Sequence, residues 1–193
     1  MTNSFDIESL KQRLSDGNSV VHLEDTSEPV SAVAIIIGPG RKGVSILLIR
    51  RRDRQGDPWS GQIAFPGGHK SREDQTLLQT AIRETSEEVG IEVGMKELLG
   101  VLPLTHSHTR RMPVSPFVFQ LTKGVPVKLN DEVTESFWVP LRELANMGWT
   151  TSEVEVEQRR LSVDSYVYDE HVIWGLTFRI INILLNKSSP NVS

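Results

Sequence analysis

The sequence predicts a single mixed α/β domain, on three observations. Short β-branched runs bounded by glycine and proline alternate with stretches of helical period, and no repeat, linker or low-complexity block separates them. A chain of 193 residues is also long enough to bury one hydrophobic core and too short for two comfortable ones. The reading divides the chain into an N-terminal helix and lead-in over 1–28, the main domain over 29–187 and a tail over 188–193.

The elements follow in order. Ile7, Leu10 and Leu14 fall at helical spacing and Asp16-Gly17 is a stop signal, which predicts a short amphipathic packing helix. Ser31 to Gly38 and Val44 to Ile49 read as two core strands joined by a hairpin through Gly38-Pro39-Gly40-Arg41-Lys42-Gly43. Ile63-Ala64-Phe65 is a further short strand ending at Pro66-Gly67-Gly68, and Asp74 to Val89 carries a clear helical period. Leu98 to Leu104, Ser115 to Leu121 and Ser136 to Val139 are strand-like, Leu141 to Met147 a short helix, and Val172 to Leu185 a longer apolar helix. Glu153, Glu155 and Glu157 alternate with Val154 and Val156, as on an exposed strand whose charges discourage edge pairing.

Composition sets limits on function. With 21 Lys and Arg against 25 Asp and Glu the net charge is -4, which disfavours nucleic acid and anionic membrane surfaces as partners. The absence of cysteine excludes disulfides and thiolate chemistry. The N-terminus lacks the basic start and apolar core of a signal peptide, and the purest apolar run, Ala32 to Ile37, falls far short of the roughly 20 residues of a membrane span. These features predict a cytoplasmic protein.

The informative segment is the helix ending near Val89. On a helical wheel started at Leu77, Leu77, Leu78, Ala81, Ile82, Thr85 and Val89 fill an arc of about 140°. Glu84, Glu87 and Glu88 adjoin one border of that arc, with Glu88 inside it. Glu84 and Glu88 are a like-charge pair four residues apart, and all three lie before Gly90, where the negative end of the helix dipole opposes anions. Repulsion, partial burial and the dipole all oppose this placement, and a divalent cation would reverse each. Oxygen-only ligands select a hard ion, Mg²⁺ or Mn²⁺. The alternative is a solvated acidic patch neutralised by Arg83 or a lysine. Phe65-Pro66-Gly67-Gly68 favours the first, because a glycine pair lets backbone approach a ligand or a helix closely.

Gly68, five residues, Asp74, then Arg83-Glu84-Thr85-Ser86-Glu87-Glu88-Val89-Gly90-Ile91 resembles the Nudix box, Gly-x5-Glu-x7-Arg-Glu-U-x-Glu-Glu-x-Gly-U with U aliphatic. It departs from it in Asp74 for the first Glu, in eight residues rather than seven before Arg83, and in Thr85 at an aliphatic position. Leu47 to Arg52, Gly61 to Gly68, Gly100 to Pro103, Asp131 to Val133 and Glu170 to Thr177 are similar to the coenzyme A pyrophosphatase branch. That branch usually carries a second Arg shortly before Gly61, where this chain has Gly56 to Ser60 and, further back, Arg54.

The resemblance implies an α/β/α sandwich around a mixed sheet, Mg²⁺ or Mn²⁺ dependence, and hydrolysis of a diphosphate bridge in a nucleoside diphosphate derivative. The implied substrate is coenzyme A, with ADP-ribose or NADH as alternatives, and the alternative of another class is a noncatalytic module that binds a nucleotide metabolite. A homodimer is a further possibility that the resemblance raises. Glu84 and Glu88 are the expected primary metal ligands, Glu87 a ligand of a second ion, and Arg83 the residue that orients carboxylates or the glycine loop. Glu132 is the candidate general base, its alternative a surface carboxylate in an Asn-Asp-Glu turn. Arg51 is the candidate phosphate clamp, with Arg50 and Arg52 facing away, and Gly67, Gly68 and Arg110 or Arg111 complete the expected substrate contacts.

Overall fold

The computed structural model describes residues 7–15, 30–56, 59–106, 112–156 and 159–187. The predicted hairpin is its starting point: β1 (Ser31–Gly40) and β2 (Gly43–Arg51) pair antiparallel around Arg41-Lys42. Their pairing runs only from Gly40↔Gly43 to Ile37↔Ile46. Beyond it the strands part, and one short segment fills the gap. β3 (Ile63–Ala64) pairs with Arg50 and Ile49 of β2, and β4 (Gly67–His69) pairs with Val33 to Ser31 of β1. Between them the Pro66 carbonyl accepts from Ala34 N–H at 2.8 Å. The glycine loop is therefore stitched into the sheet where its two central strands diverge.

The other edge of β1 carries β7 (Pro113–Gln120), in parallel register from Ser31↔Val114 to Ile37↔Gln120. β5 (Leu98–Val101) and β6 (Thr105–His106) pair antiparallel with β7, and β8 (Val133–Pro140) with the outer edge of β2. A second, three-stranded sheet follows: β9 (Thr150–Val156), β10 (Arg159–Tyr168) and β11 (His171–Trp174).

Because side chains alternate along a strand, the central strands feed two cores. Ala32, Ala34, Ile36, Leu47 and Ile49 pack under α2 (Leu77–Val89) with its Leu77, Ala81 and Val89. Ile35, Ile37, Ile46 and Leu48 point the other way. They pack with Leu10 of α1 (Ile7–Lys11), Leu141 and Leu144 of α3 (Leu141–Asn146), Tyr166 of β10, and Phe178, Ile181 and Leu184 of α4 (Gly175–Leu185). This is the predicted mixed sheet between helical layers.

The structure corrects the predicted long helix over Val172 to Leu185. Its first residues, Val172 to Trp174, are strand paired with β10, and Gly175 at φ 63° turns the chain into α4. A continuous apolar run carries no mark of that change, since buried strand and buried helix share a composition. β4, β6 and β10 were not anticipated, and the helix predicted from Asp74 begins at Leu77 after the N-cap Thr76. In α1 the helix is a short piece, and Asp16-Gly17 and Glu157 lie outside the described residues. Glu153 and Glu155 are exposed on β9, the edge of its sheet, as the alternation predicted.

Gly175 is open to a Cβ, so its substitution strains only the backbone. Gly175→Ala is expected to lower stability by about 1 kcal/mol in urea unfolding and Gly175→Asn by less, because Asn tolerates the left-handed region.

Candidate active site

α2 forms between clear boundaries. The Thr76 side chain accepts from Gln79 N–H, and Gly90 at φ 65° closes the helix with its N–H on the Ser86 carbonyl. The wheel placed Glu88 within the apolar face, and Glu88 is 1% exposed. The Glu84 side chain is 15% exposed and that of Glu87 54%, so the three carboxylates step outward from the core to solvent.

Two missing side chains allow this. A Cβ on Gly67 would strike the Ala32 carbonyl oxygen and the Val33 backbone, and a Cβ on Gly68 would lie 2.5 Å from Glu84 Oε1. Without them β4 lies close against both β1 and α2, and Gly67 N–H donates to Glu88 Oε2 at 2.9 Å. Burial pushes the Glu88 carboxyl up to about 8, against the pull of that N–H, with Glu84 raising it further, Arg51 lowering it and Glu132 raising it. Burial likewise raises the Glu84 carboxyl, opposed by Arg83 and reinforced by Glu87 and Glu132.

Arg83 organises the outer part of the site. It donates to Asp74 through Nε at 3.1 Å and Nη2 at 2.9 Å, and to the His69 carbonyl of β4 at 3.3 Å. Its Nη1 lies 2.9 Å from Glu84 Oε1 and 2.8 Å from Glu87 Oε2. It thus touches both two of the carboxylates and the strand of the glycine loop. Asp74 is the residue whose importance the sequence understated. Burial opposes its ionisation, yet hydrogen bonds from Arg83, Ser71 N–H and Thr80 hold its carboxyl at about 2. Its place in the box was visible; its pairing with Arg83, nine residues on, was not.

Opposite α2, β2 and β8 supply the remaining groups. Their register shifts between Arg50 and Arg51, where Arg50 opposes Glu135 and Arg51 opposes Val133, leaving Thr134 as the extra residue of a bulge. Arg51 and Glu132 flank it, and the charges of both are felt at Glu88. The backbone is pinned there by Arg51 N–H on the Gln62 carbonyl at 3.0 Å and Arg52 N–H on the Glu132 carbonyl at 2.7 Å. Glu132 is partly exposed, pairs with Arg54 Nη1 at 3.2 Å and sits in the expected Asn-Asp-Glu turn, its N–H on Asn130 Oδ1. Arg50 points to the other face of the sheet, and Arg52 Nε donates to the Asp131 carbonyl. Arg110 and Arg111 lie outside the described residues.

A hard divalent cation fits this donor set. Glu88 and Glu84 are desolvated carboxylates whose ionisation is opposed by burial and by neighbouring glutamates, and a cation between them would offset both penalties. Arg83 pairs with Glu84 and Glu87 from the solvent side. Among the described residues, the three possible ligands whose atoms all lie within 4.8 Å of one another are instead Glu135, Glu170 and His171, on the other face of the sheet. That cluster already holds a cation. Arg50 Nη2 lies 2.9 Å from His171 Nδ1, and since a guanidinium only donates, Nδ1 accepts and the ring proton is assigned to Nε2, facing Glu135 Oε1 at 3.3 Å. Neither ring nitrogen then offers a lone pair to a metal.

Two outcomes follow from this arrangement. Glu88 keeps a proton at neutral pH that the unfolded chain, with its carboxyl near 4.5, has released. Its stabilisation is complete below 4.5 and is lost as pH rises through 8, whereas that of Asp74 is present above 3.8 and is lost as pH falls through 2. Melting of EDTA-treated protein should therefore drop in temperature from about pH 5 to 9, Glu88→Gln should flatten that slope, and Mn²⁺ should restore stability at the alkaline end. Gly68→Ala, by displacing Glu84, should weaken Mn²⁺ binding in calorimetry by about tenfold or more.

Comparison with known proteins agrees with the site. The NUDIX domain family matches residues 28–160. A protein of Pectobacterium atrosepticum named "Uncharacterized Nudix hydrolase NudL" is 36% identical over 141 residues, 72% of this chain and 72% of its own. Its namesake from Yersinia pestis strain Pestoides F is 36% identical over 149 residues, 75% and 73% of the two chains. Among solved structures, a MutT/nudix family protein from Enterococcus faecalis has the same fold, with a TM-score of 0.55 at 15% identity over 93% of this chain and 73% of its own. Members of this family typically use divalent metals, and with a carboxylate-lined helix end set against a glycine loop the chain belongs to the Nudix family, as a hydrolase of the pyrophosphatase type.

Proposed function

We propose that the enzyme hydrolyses the diphosphate bridge of coenzyme A or its derivatives, releasing phosphopantetheine and 3',5'-adenosine diphosphate, with Mg²⁺ or Mn²⁺ held by Glu84, Glu87 and Glu88. The observation that carries the diphosphate reading is the convergence of the buried Glu88 and its neighbouring glutamates, the Gly67-Gly68 backbone and Arg51 at one end of the sheet. Support for coenzyme A comes from the sequence around that end, Leu47 to Arg52 and Gly61 to Gly68, together with Glu170 to Thr177.

When bound, the cation neutralises nonbridging phosphate oxygens and lowers the pKa of a water. The residues do the rest. Arg51, with its planar fork of donors, clamps a phosphate on the α2 face of the sheet. Glu132 takes the proton of the attacking water on its carboxylate, while Arg54 fixes that side chain. Arg83, anchored by Asp74, keeps Glu84 and Glu87 aligned with β4. Gly67 and Gly68 let β4 lie directly against β1 and Glu84, which brings their backbone beside the carboxylates.

Coenzyme A, ADP-ribose, NADH, dinucleoside polyphosphates and nucleoside triphosphates should be assayed side by side with Mg²⁺ and with Mn²⁺. Turnover of coenzyme A above the others, abolished by EDTA and by Glu88→Gln, is the expected result. Inert coenzyme A beside active ADP-ribose would remove the substrate assignment and leave the diphosphate hydrolase, while metabolite binding without turnover of any compound would favour the noncatalytic module. Glu132→Gln should lower kcat by about 10² to 10⁴-fold with little change in KM.

A further inference from the structure

The segment Glu170 to Thr177 stands out in the sequence, yet none of its residues enters the proposed site. His171 explains its connection. The residue is 4% exposed, and its ring stacks on Phe137 with centroids 3.9 Å apart and planes at 20°. The stack fixes the plane of the imidazole, and within that plane Nδ1 faces Arg50 Nη2, 2.9 Å away, and Nε2 faces Glu135 Oε1. Glu135 Oε2 closes the triangle at 3.3 Å from Arg50 Nε.

Arg50 is therefore held by both its backbone and its partly exposed side chain. Its backbone pairs with Ile63 of β3 on one edge and Glu135 of β8 on the other, its carbonyl accepts from Thr134 Oγ1 at 3.3 Å, and its guanidinium is held by the histidine and the glutamate. The bulge lies immediately after it, and the next side chain, Arg51, turns to the α2 face, where its charge acts on Glu88. A bulge re-aims a side chain only if the residues on both sides of it are held, because otherwise the extra residue is absorbed by sliding the register.

We propose that His171 is a positioning residue that, through Arg50, sets the direction of Arg51 toward the substrate's phosphate. The inference rests on the diphosphate reading of the site. His171 touches neither the metal ligands nor the substrate, and its contribution is the acceptor at Nδ1 that locks Arg50 on the far face. Asn reproduces that acceptor, since its Oδ1 occupies the place of Nδ1, and Leu keeps the volume without it.

The test compares His171→Leu, His171→Asn, Arg51→Ala and the Leu/Ala double variant in steady-state kinetics with Mn²⁺. His171→Leu is expected to raise KM by about tenfold with kcat within about threefold, Asn to recover most of that loss, and the double variant to be no worse than Arg51→Ala alone. Unchanged KM in His171→Leu, additive losses in the double variant, or Asn as damaging as Leu would each overturn the proposal. A second measurement is independent of substrate. The Arg51 Nε–Hε resonance of ¹⁵N-labelled, substrate-free protein, assigned by its loss in Arg51→Lys, should shift or broaden in His171→Leu and stay near wild type in His171→Asn. A resonance unmoved in His171→Leu overturns the inference even if the enzyme is active. A wild-type protein inert on the whole substrate panel, with that resonance shifted, instead overturns the diphosphate reading.

Discussion

The carboxylate of Glu88, held out of water between α2 and the β1–β4 edge, is the constraint on which this end of the molecule depends. An ionised carboxyl is expensive to bury, and since the protein offers Glu88 only one backbone N–H and the field of Arg51, the group keeps its proton at neutral pH. That N–H is available because β4 lies on β1 at Gly67, a position closed to any side chain. The divergence of β1 and β2, the two short strands that fill it and the left-handed Gly90 that ends α2 all hold this one carboxylate where water cannot solvate it.

Arg83 and Asp74 balance the charge of the outer glutamates. Asp74 binds the guanidinium through two of its nitrogens and remains ionised across ordinary pH, so Arg83 is tethered whether or not Glu84 and Glu87 are engaged elsewhere. Its third nitrogen reaches both glutamates. Arg83 also donates to the His69 carbonyl, so one side chain ties the two glutamates to the strand of the glycine loop.

Much of this was legible in the sequence because it follows from local periodicity. Glu88 fell inside the apolar arc on a wheel, and it is buried; Arg50 and Arg51 could not share a strand face, and they do not. The hairpin at Arg41-Lys42 announced itself by its glycines. What could not be read depends on partners far along the chain. β4 has three residues and two of them are glycine, so it carries no hydrophobic pattern and exists only because β1 leaves an edge open. The switch from strand to helix at Gly175 is hidden in an apolar run, and the Arg50–His171 contact spans 121 positions. The bulge at Thr134, which sorts Val133 and Glu135 onto opposite faces, is a matter of register that composition does not encode.

The parallel pairing of β1 with β7 also governs how the chain can reach this state. Ser31 meets Val114, and at the far end of the sequence Arg13 caps the α4 carbonyls of Ile183 and Leu184, contacts 170 and 171 positions apart. Neither half of the protein closes on itself. The central strand lacks its parallel neighbour until more than half the chain has been made, and Arg13 has no helix end to cap until α4 exists. Loop-closure entropy must be overcome before such nonlocal contacts contribute, which places this fold among the slower ones and makes its assembly a late event in synthesis. An emerging chain would hold β1, with its run of buried isoleucines, unpaired on one edge throughout that interval.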